Sequence, residues 1–174
     1  MRKGVFLLVA VLIGITSCNQ KGQTTEDNEA KQENVTMELR DYGPGPVVFD
    51  MEEITLENEN FRTTMWTGEY LQMTLMSLQP GEDIGLELHT KTDQFIRVEE
   101  GVGTVYMGDT EDNLDFVREL KDDFGFFIPS GKWHNLKNTG NKPLKLYSIY
   151  APAEHAHGTV HVTREEGIEH DHDH

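Results

Sequence analysis

Beyond residue 46 the chain is written in short alternations. Leu71, Met73 and Leu75 flank Gln72 and Thr74, and Ile84, Leu86 and Leu88 flank Gly85 and Glu87, with His89 next in line. A period of two sends successive side chains to opposite faces of an extended segment, so both runs predict strands with two distinct faces. Similar runs at 94–99, 103–107, 124–128 and 144–150 continue the pattern. Turn signals separate them at Pro80 and Gly81, Glu100 and Gly101, Ser130 and Gly131, and Thr139 to Asn141. Evenly spaced short strands predict an all-β sandwich or barrel. Residues 112–120 fit a brief helical turn or a loop equally well.

The first 46 residues follow other rules. Met1, Arg2 and Lys3 make a basic start, and residues 5–15 are apolar apart from Gly14. This is the layout of a secretory signal, and the apolar run falls short of the roughly 20 residues needed to span a bilayer. Ile15, Thr16, Ser17 and Cys18 resemble the bacterial lipobox, in which small residues precede a cysteine that is acylated and becomes the first residue of the mature chain. An ordinary signal peptide with an incidental cysteine is the plainer alternative. Acylation of Cys18 implies a cell-envelope protein held to the membrane by its lipid. Cys18 is also the only cysteine, so no disulfide is expected. Residues 19–46 are polar and end in Gly43, Pro44, Gly45 and Pro46, as a disordered tether would. The predicted organisation is a signal at 1–17, a flexible linker at 18–46, a barrel at 47–164 and an acidic His-rich tail at 165–174.

Charge narrows the partners. Fifteen Lys and Arg stand against 31 Asp and Glu, a formal charge of −16, and cleaving 1–17 would remove Arg2 and Lys3 but no acid. Nucleic-acid binders need clustered cations to displace counterions, and no such cluster is present. The expected partner is a small molecule. Sixteen glycines also argue against a helical bundle.

The candidate chemistry lies within the alternations. Glu87 and His89, two apart, project from one face of a strand, and a carboxylate beside an imidazole is half a metal site. Gln94 follows a turn at 90–93, and a hairpin would return it beside that pair. His134 comes just after the turn at Pro129, Ser130 and Gly131. Two imidazoles, a carboxylate and an amide oxygen form a mixed N/O set suited to zinc, manganese, iron, nickel or copper.

These spacings resemble the two motifs of the cupin superfamily. Glu87 and His89, then Gln94, then Gly101 follow the first motif, and Pro129, Gly131, His134 and Asn138 follow the second. The resemblance covers 47 to about 151 and implies a single double-stranded β-helix, or jelly-roll, barrel with a divalent metal in its mouth. It departs in two ways. Glu87 and Gln94 exchange the usual His and Glu, and Asp123 replaces a glycine, which suggests a different turn there. Phosphomannose isomerases, related to cupins, are similar in pairing Gln with His and adding a separate Glu and His. The chain is also similar to small bacterial cupins that share the name mannose-6-phosphate isomerase. The resemblance therefore implies a metal-dependent isomerase acting on a small polar or carbohydrate-type molecule. Two other readings stay open: a non-catalytic ligand- or metal-binding envelope lipoprotein, and a non-haem iron dioxygenase built on His89, His134 and Glu87. Pairing of cupins through sheet edges suggests a homodimer.

Other residues have weaker claims. Asn138 is expected to brace the turn after His134. Trp133, Trp66 and Phe126 fit either a pocket lining or plain core. Arg62 and Arg97 are candidate anchors for an anion, with Arg97 on the strand face opposite Gln94. His155 and His157 could cap the barrel mouth. The tail, with His170, His172 and His174 alternating with Asp171 and Asp173, reads as a solvated terminus or a divalent-metal scavenger.

Overall fold

A computed structural model of the chain describes residues 37–171. The signal segment, Cys18 and the first part of the tether lie outside the described residues, as do His172 to His174. The elements in chain order are α1 (Met51–Glu57), β1 (Arg62–Thr67), β2 (Gln72–Leu78), β3 (Glu87–Leu88), β4 (Asp93–Glu100), β5 (Val102–Gly108), β6 (Phe116–Lys121), β7 (Gly125–Ile128), β8 (Trp133–Asn138), β9 (Leu144–Ala151), β10 (Val160–His161) and α2 (Arg164–Asp171). The strands form a six-stranded sheet, β10-β1-β2-β9-β4-β7, and a four-stranded sheet, β3-β8-β5-β6. All the ladder pairs are antiparallel.

Side-chain parity divides the core into two. Even-numbered Met76, Leu78, Ile96, Val98, Leu136, Leu144 and Leu146 join Val105 and Phe126 in one cluster between the sheets. Odd-numbered Met65, Met73 and Leu75 pack with Ile54 of α1 in a second cluster, against which Phe49, Tyr147 and Ile149 lean. β2 is buried at every position because both of its faces are covered. α1 supplies one cover: Asp50 caps it by accepting from Glu53 N at 3.1 Å, and Glu52 and Glu53 suit the positive end of its dipole.

Several expectations need correction. The linker does not run free to residue 46. Asp41 accepts from Thr67 N and Thr67 Oγ1, Tyr42 N donates to Met65 O, and Trp66 Nε1 donates to Gly45 O. Leu39 and Tyr42 lean on the outer cluster, and Trp66 packs there too. Residues 112–120, open between turn and loop, give their second half to β6, which pairs with β5. The tail expected from 165 begins instead as a docked helix, α2. Gly167 packs against Phe61 so tightly that a Cβ there would lie 2.4 Å from the ring, and Arg164 pairs with Asp83. The predicted strand at 84–88 shrinks to two residues because Gly85 takes φ +96, a conformation that breaks the extended run. At the turn before β7, Asp123 adopts φ +69, the left-handed conformation usually left to glycine.

Candidate metal centre

The barrel interior changes character along its length. In the larger sheet, Gln72 and Gln94 both stand opposite Tyr150 in register, and all three are buried. In the smaller sheet Glu87 stands opposite His134. Apolar residues fill the interior around Leu78, Leu136 and Leu144, while Glu87 opens onto a cleft of about 990 Å³. Its lining includes Glu87, Leu88, His89, Trp133, Glu154 and His155.

Three donors converge there. Glu87 Oε2 lies 3.4 Å from His89 Nε2 and 3.5 Å from His134 Nε2, and all three ligand atoms fall within 4.8 Å of one another. Neither Nε2 has a hydrogen-bond partner, although both are buried. The other nitrogen of each ring is engaged: His134 Nδ1 lies 3.0 Å from Lys132 O, and His89 Nδ1 lies 3.2 Å from Glu154 Oε1. In a neutral ring a carbonyl or carboxylate on Nδ1 holds the proton there, so the Nε2 lone pair faces the cluster once His89 gives up its second proton. Two donors each about 2.1 Å from one ion stand about 3.0–3.4 Å apart at octahedral and tetrahedral angles, which the spacing to Glu87 approaches. The residues therefore fit a divalent cation.

Electrostatics agree with that fit. Burial works to raise the Glu87 carboxyl, but the contacts with His134 and His89 and the charge of Arg62 outweigh it and hold the group far below the usual carboxylate range. Arg62, 1% exposed, reaches Glu87 Oε1 at 3.5 Å. Burial disfavours charge on His89, yet Glu154 and Glu87 on either side push its pKa up to about 9 in the metal-free protein. His155, half-buried, is pushed down to about 3 by desolvation and by the charge of Arg62. Contact with His89 lowers Glu154 despite burial.

Gln94 arrives by a different route from the expected hairpin. β3 and β4 belong to different sheets, so the turn at 90–93 crosses between them, and Gln94 pairs with Tyr150 and Ile128. Its Nε2 donates to Ser148 Oγ at 2.8 Å, while its Oε1 is buried without a partner. The ring of Tyr150, its neighbour in register, is centred 5.8 Å from that of His89. Asn138 braces the barrel as expected, donating to Leu78 O and Lys142 O and accepting from Gly140 N. Trp133 lines the cleft, Phe126 is core, and Arg97 pairs with Glu99 and Asp123 on the outside. Arg62 is no surface anchor for an anion, because it is spent on Glu87. Glu154 was not legible: it follows the last long strand in a segment with no period, and only its position after Pro152 and before His155 marks it.

The comparisons with known proteins agree with this architecture. Residues 74–150 match the cupin domain family, a span that runs from within β2 to within β9 and contains Glu87, His89, Gln94 and His134. The chain is 51% identical over 142 residues to the uncharacterized protein YrkC of Bacillus subtilis, covering 82% of this chain and 76% of that one. The chain carries a cupin domain and belongs to one family with YrkC. This cupin also superposes on the crystal structure of BH2720 from Bacillus halodurans, with 57% identity and a TM-score of 0.74, over 75% of this chain and 98% of that one. A Klebsiella pneumoniae protein with a double-stranded β-helix domain, 18% identical, shares the fold at a TM-score of 0.52, over 68% of this chain and 100% of that one. Glu154 and the α2 residues Arg164 and Ile168 lie outside the matched segment and line one side of the cleft.

Proposed function

We propose that this cupin is a metal-dependent enzyme of the cell envelope, with a divalent cation held by Glu87, His89 and His134, Gln94 beside them, and a small polar molecule in the cleft. The observation that supports this best is the pair of buried Nε2 atoms facing Glu87 Oε2, each ring secured through its Nδ1. A bound cation would polarise a carbonyl or hydroxyl oxygen of the ligand. The chain's own residues then shape the site. Leu88 and Trp133 give the cleft an apolar wall, Glu87 stays ionised beside Arg62, and neutral His155 offers no competing charge.

In its isomerase form this reading needs a proton acceptor close to the ligand. The carboxylates of the cleft besides Glu87 are Glu154, which is engaged on His89 Nδ1, and the rim residue Glu111, so an acceptor other than Glu154 has to come from Glu111 or from water at the site. A phosphorylated sugar has little to grip, because Arg164 is paired with Asp83 and Lys91 alone remains as a cleft cation. The substrate class this supports is a small polar molecule without a phosphate. A second reading has a specific observation in its favour: two imidazoles and one carboxylate on one side of a site are the ligand set of non-haem iron oxygenases. The lipobox-like segment ending at Cys18 supports attachment to a membrane surface, and Cys18→Ser should abolish lipid labelling and release the protein.

The test is elemental analysis of the purified full chain beside His89→Ala, His134→Ala, and a chain whose His170, His172 and His174 are alanine. The expected result is close to one metal per chain in wild type and in the tail variant, and little in either barrel variant. Metal that follows the tail and ignores His89 and His134 refutes the reading. Oxygen uptake with ferrous iron would favour the oxygenase, and aldose–ketose exchange with zinc the isomerase.

A further inference from the structure

The two histidines of the cluster are secured differently. His134 lies on β8, and its Nδ1 meets the main-chain carbonyl of Lys132, two residues back. His89 stands just past the two-residue β3, and its Nδ1 meets a side chain instead, Glu154 Oε1. Glu154 sits in the segment after β9 that lines the cleft. That segment is held by one buried amide. Gln72 Oε1 accepts from Glu154 N at 3.2 Å and from His155 N at 2.9 Å, and Gln72 Nε2 donates to His155 O at 2.8 Å and to Thr67 Oγ1 at 3.0 Å. Gln72 is fully buried, so its polar atoms have little access to water. Three of its four hydrogen bonds are directed at the backbone of Glu154 and His155.

We propose that Glu154 is the positioning residue that orients His89 toward the cation site, and that Gln72 is the clamp that holds Glu154 in place. This rests on the reading of Glu87, His89 and His134 as cation ligands. Glu154 cannot itself join them through this contact, because the two ring nitrogens point away from each other and it occupies the outer one. A carboxylate there fixes the tautomer, stops the ring turning over about its Cβ–Cγ bond, and makes Nε2 a stronger donor. Leaving such a partner out costs metal affinity on the order of 10–100-fold. Removing Gln72 leaves Glu154 chemically intact and unhooks only its backbone, so the loss there is smaller and in the same direction.

The experiment titrates Co²⁺ into the full chain carrying alanine at 170, 172 and 174, in competition with a chelator, reading the visible absorption of the bound ion. Glu154→Leu should bind about 10–100-fold more weakly with a shifted spectrum. Glu154→Gln, which keeps an acceptor oxygen and loses the charge, should fall between Glu154→Leu and wild type, and Gln72→Met should show a smaller loss. A second readout is the ¹⁵N signature of the neutral His89 ring, whose proton the wild type should hold on Nδ1 and Glu154→Leu should not. Binding by Glu154→Leu and Glu154→Gln within twofold of wild type, with an unchanged spectrum, overturns the proposal. Absence of Co²⁺ binding by the parent chain would instead bring down the cation-site reading itself, and loss in His134→Ala separates the two.

Discussion

Replacing Arg62 by methionine tests how the site is charged. Arg62 is 1% exposed and the Glu87 side chain 12%, with 3.5 Å between guanidinium and carboxylate. At an effective dielectric of about 20 this separation corresponds to about 5 kcal/mol of attraction. Removing one partner of a buried pair costs about 3–5 kcal/mol, because the other charge is left in a medium that cannot solvate it. Methionine keeps most of the apolar stem, so lost packing adds little. His89, charged below about pH 9 in the metal-free protein, still faces Glu87 and brings the expected loss toward the lower figure, about 3 kcal/mol. A divalent cation on Glu87 changes the comparison. It supplies the missing positive charge, and without Arg62 it meets less repulsion, so Arg62→Met should bind it at least about fivefold more tightly. The stability gap should then narrow by about 1 kcal/mol or more when Zn²⁺ is in excess. Urea denaturation at pH 6 with chelator, and at pH 7.5 with and without Zn²⁺, measures both quantities. A variant within about 0.5 kcal/mol of wild type in chelator, or a gap that Zn²⁺ leaves unchanged, would refute the reasoning.

Four further outcomes follow from the same structure. Because the folded pKa of His89 is raised to about 9, its stabilising contribution is complete below its unfolded value near 6.5 and is lost as pH rises through 9. Metal-free protein should therefore lose stability, about 3 kcal/mol in order of magnitude, between those values, and uptake of Zn²⁺ at pH 7 should release close to one proton from this ring, read by calorimetry in buffers of different ionisation enthalpy. Glu87 works on the other side of the range: its depressed pKa gives stability that is present above the ordinary carboxylate value and is lost as pH falls through the lowered one. Asn138→Ala removes three hydrogen bonds from a side chain 1% exposed and should cost about 2–3 kcal/mol in urea denaturation, with metal content unchanged. Gly167→Ala places a methyl group against Phe61 and should loosen α2, costing about 1–3 kcal/mol and making the helix an early site of limited proteolysis; resistance equal to wild type would show that the helix is not packed as described.

Much of the barrel was legible because its strands are faced on two sides. Gln94 to Val98 and Leu144 to Tyr150 alternate in sequence because alternate residues enter the cluster between the sheets, and the predicted strands there coincide with β4 and β9. The clustering of Glu87, His89 and His134 was legible for a related reason: same-face spacing joins Glu87 to His89, and the turn before β8 delivers His134. Pairing was not legible. Which strand lies beside which depends on how the chain crosses between sheets, so the expected β3–β4 hairpin gave way to pairing of β3 with β8. Edge strand β6 escaped notice because Phe116 to Glu119 are exposed on both faces and leave no alternation. α2 hid inside an acidic run, with mean hydropathy too low to suggest burial; it docks through Gly167 and Ile168, where a missing side chain and one apolar residue suffice. Glu154 and Gln72 meet only in three dimensions, 82 residues apart, where no sequence period could join them.

The central claim is that one cation sits between Glu87, His89 and His134. Anomalous diffraction at the cobalt edge, from crystals of the Co²⁺-loaded full chain, reads that position directly. The account predicts a single strong peak within bonding distance of Glu87 Oε2, His89 Nε2 and His134 Nε2, with His89 Nδ1 still on Glu154. A peak elsewhere in the protein, with those three donors unligated, would contradict it.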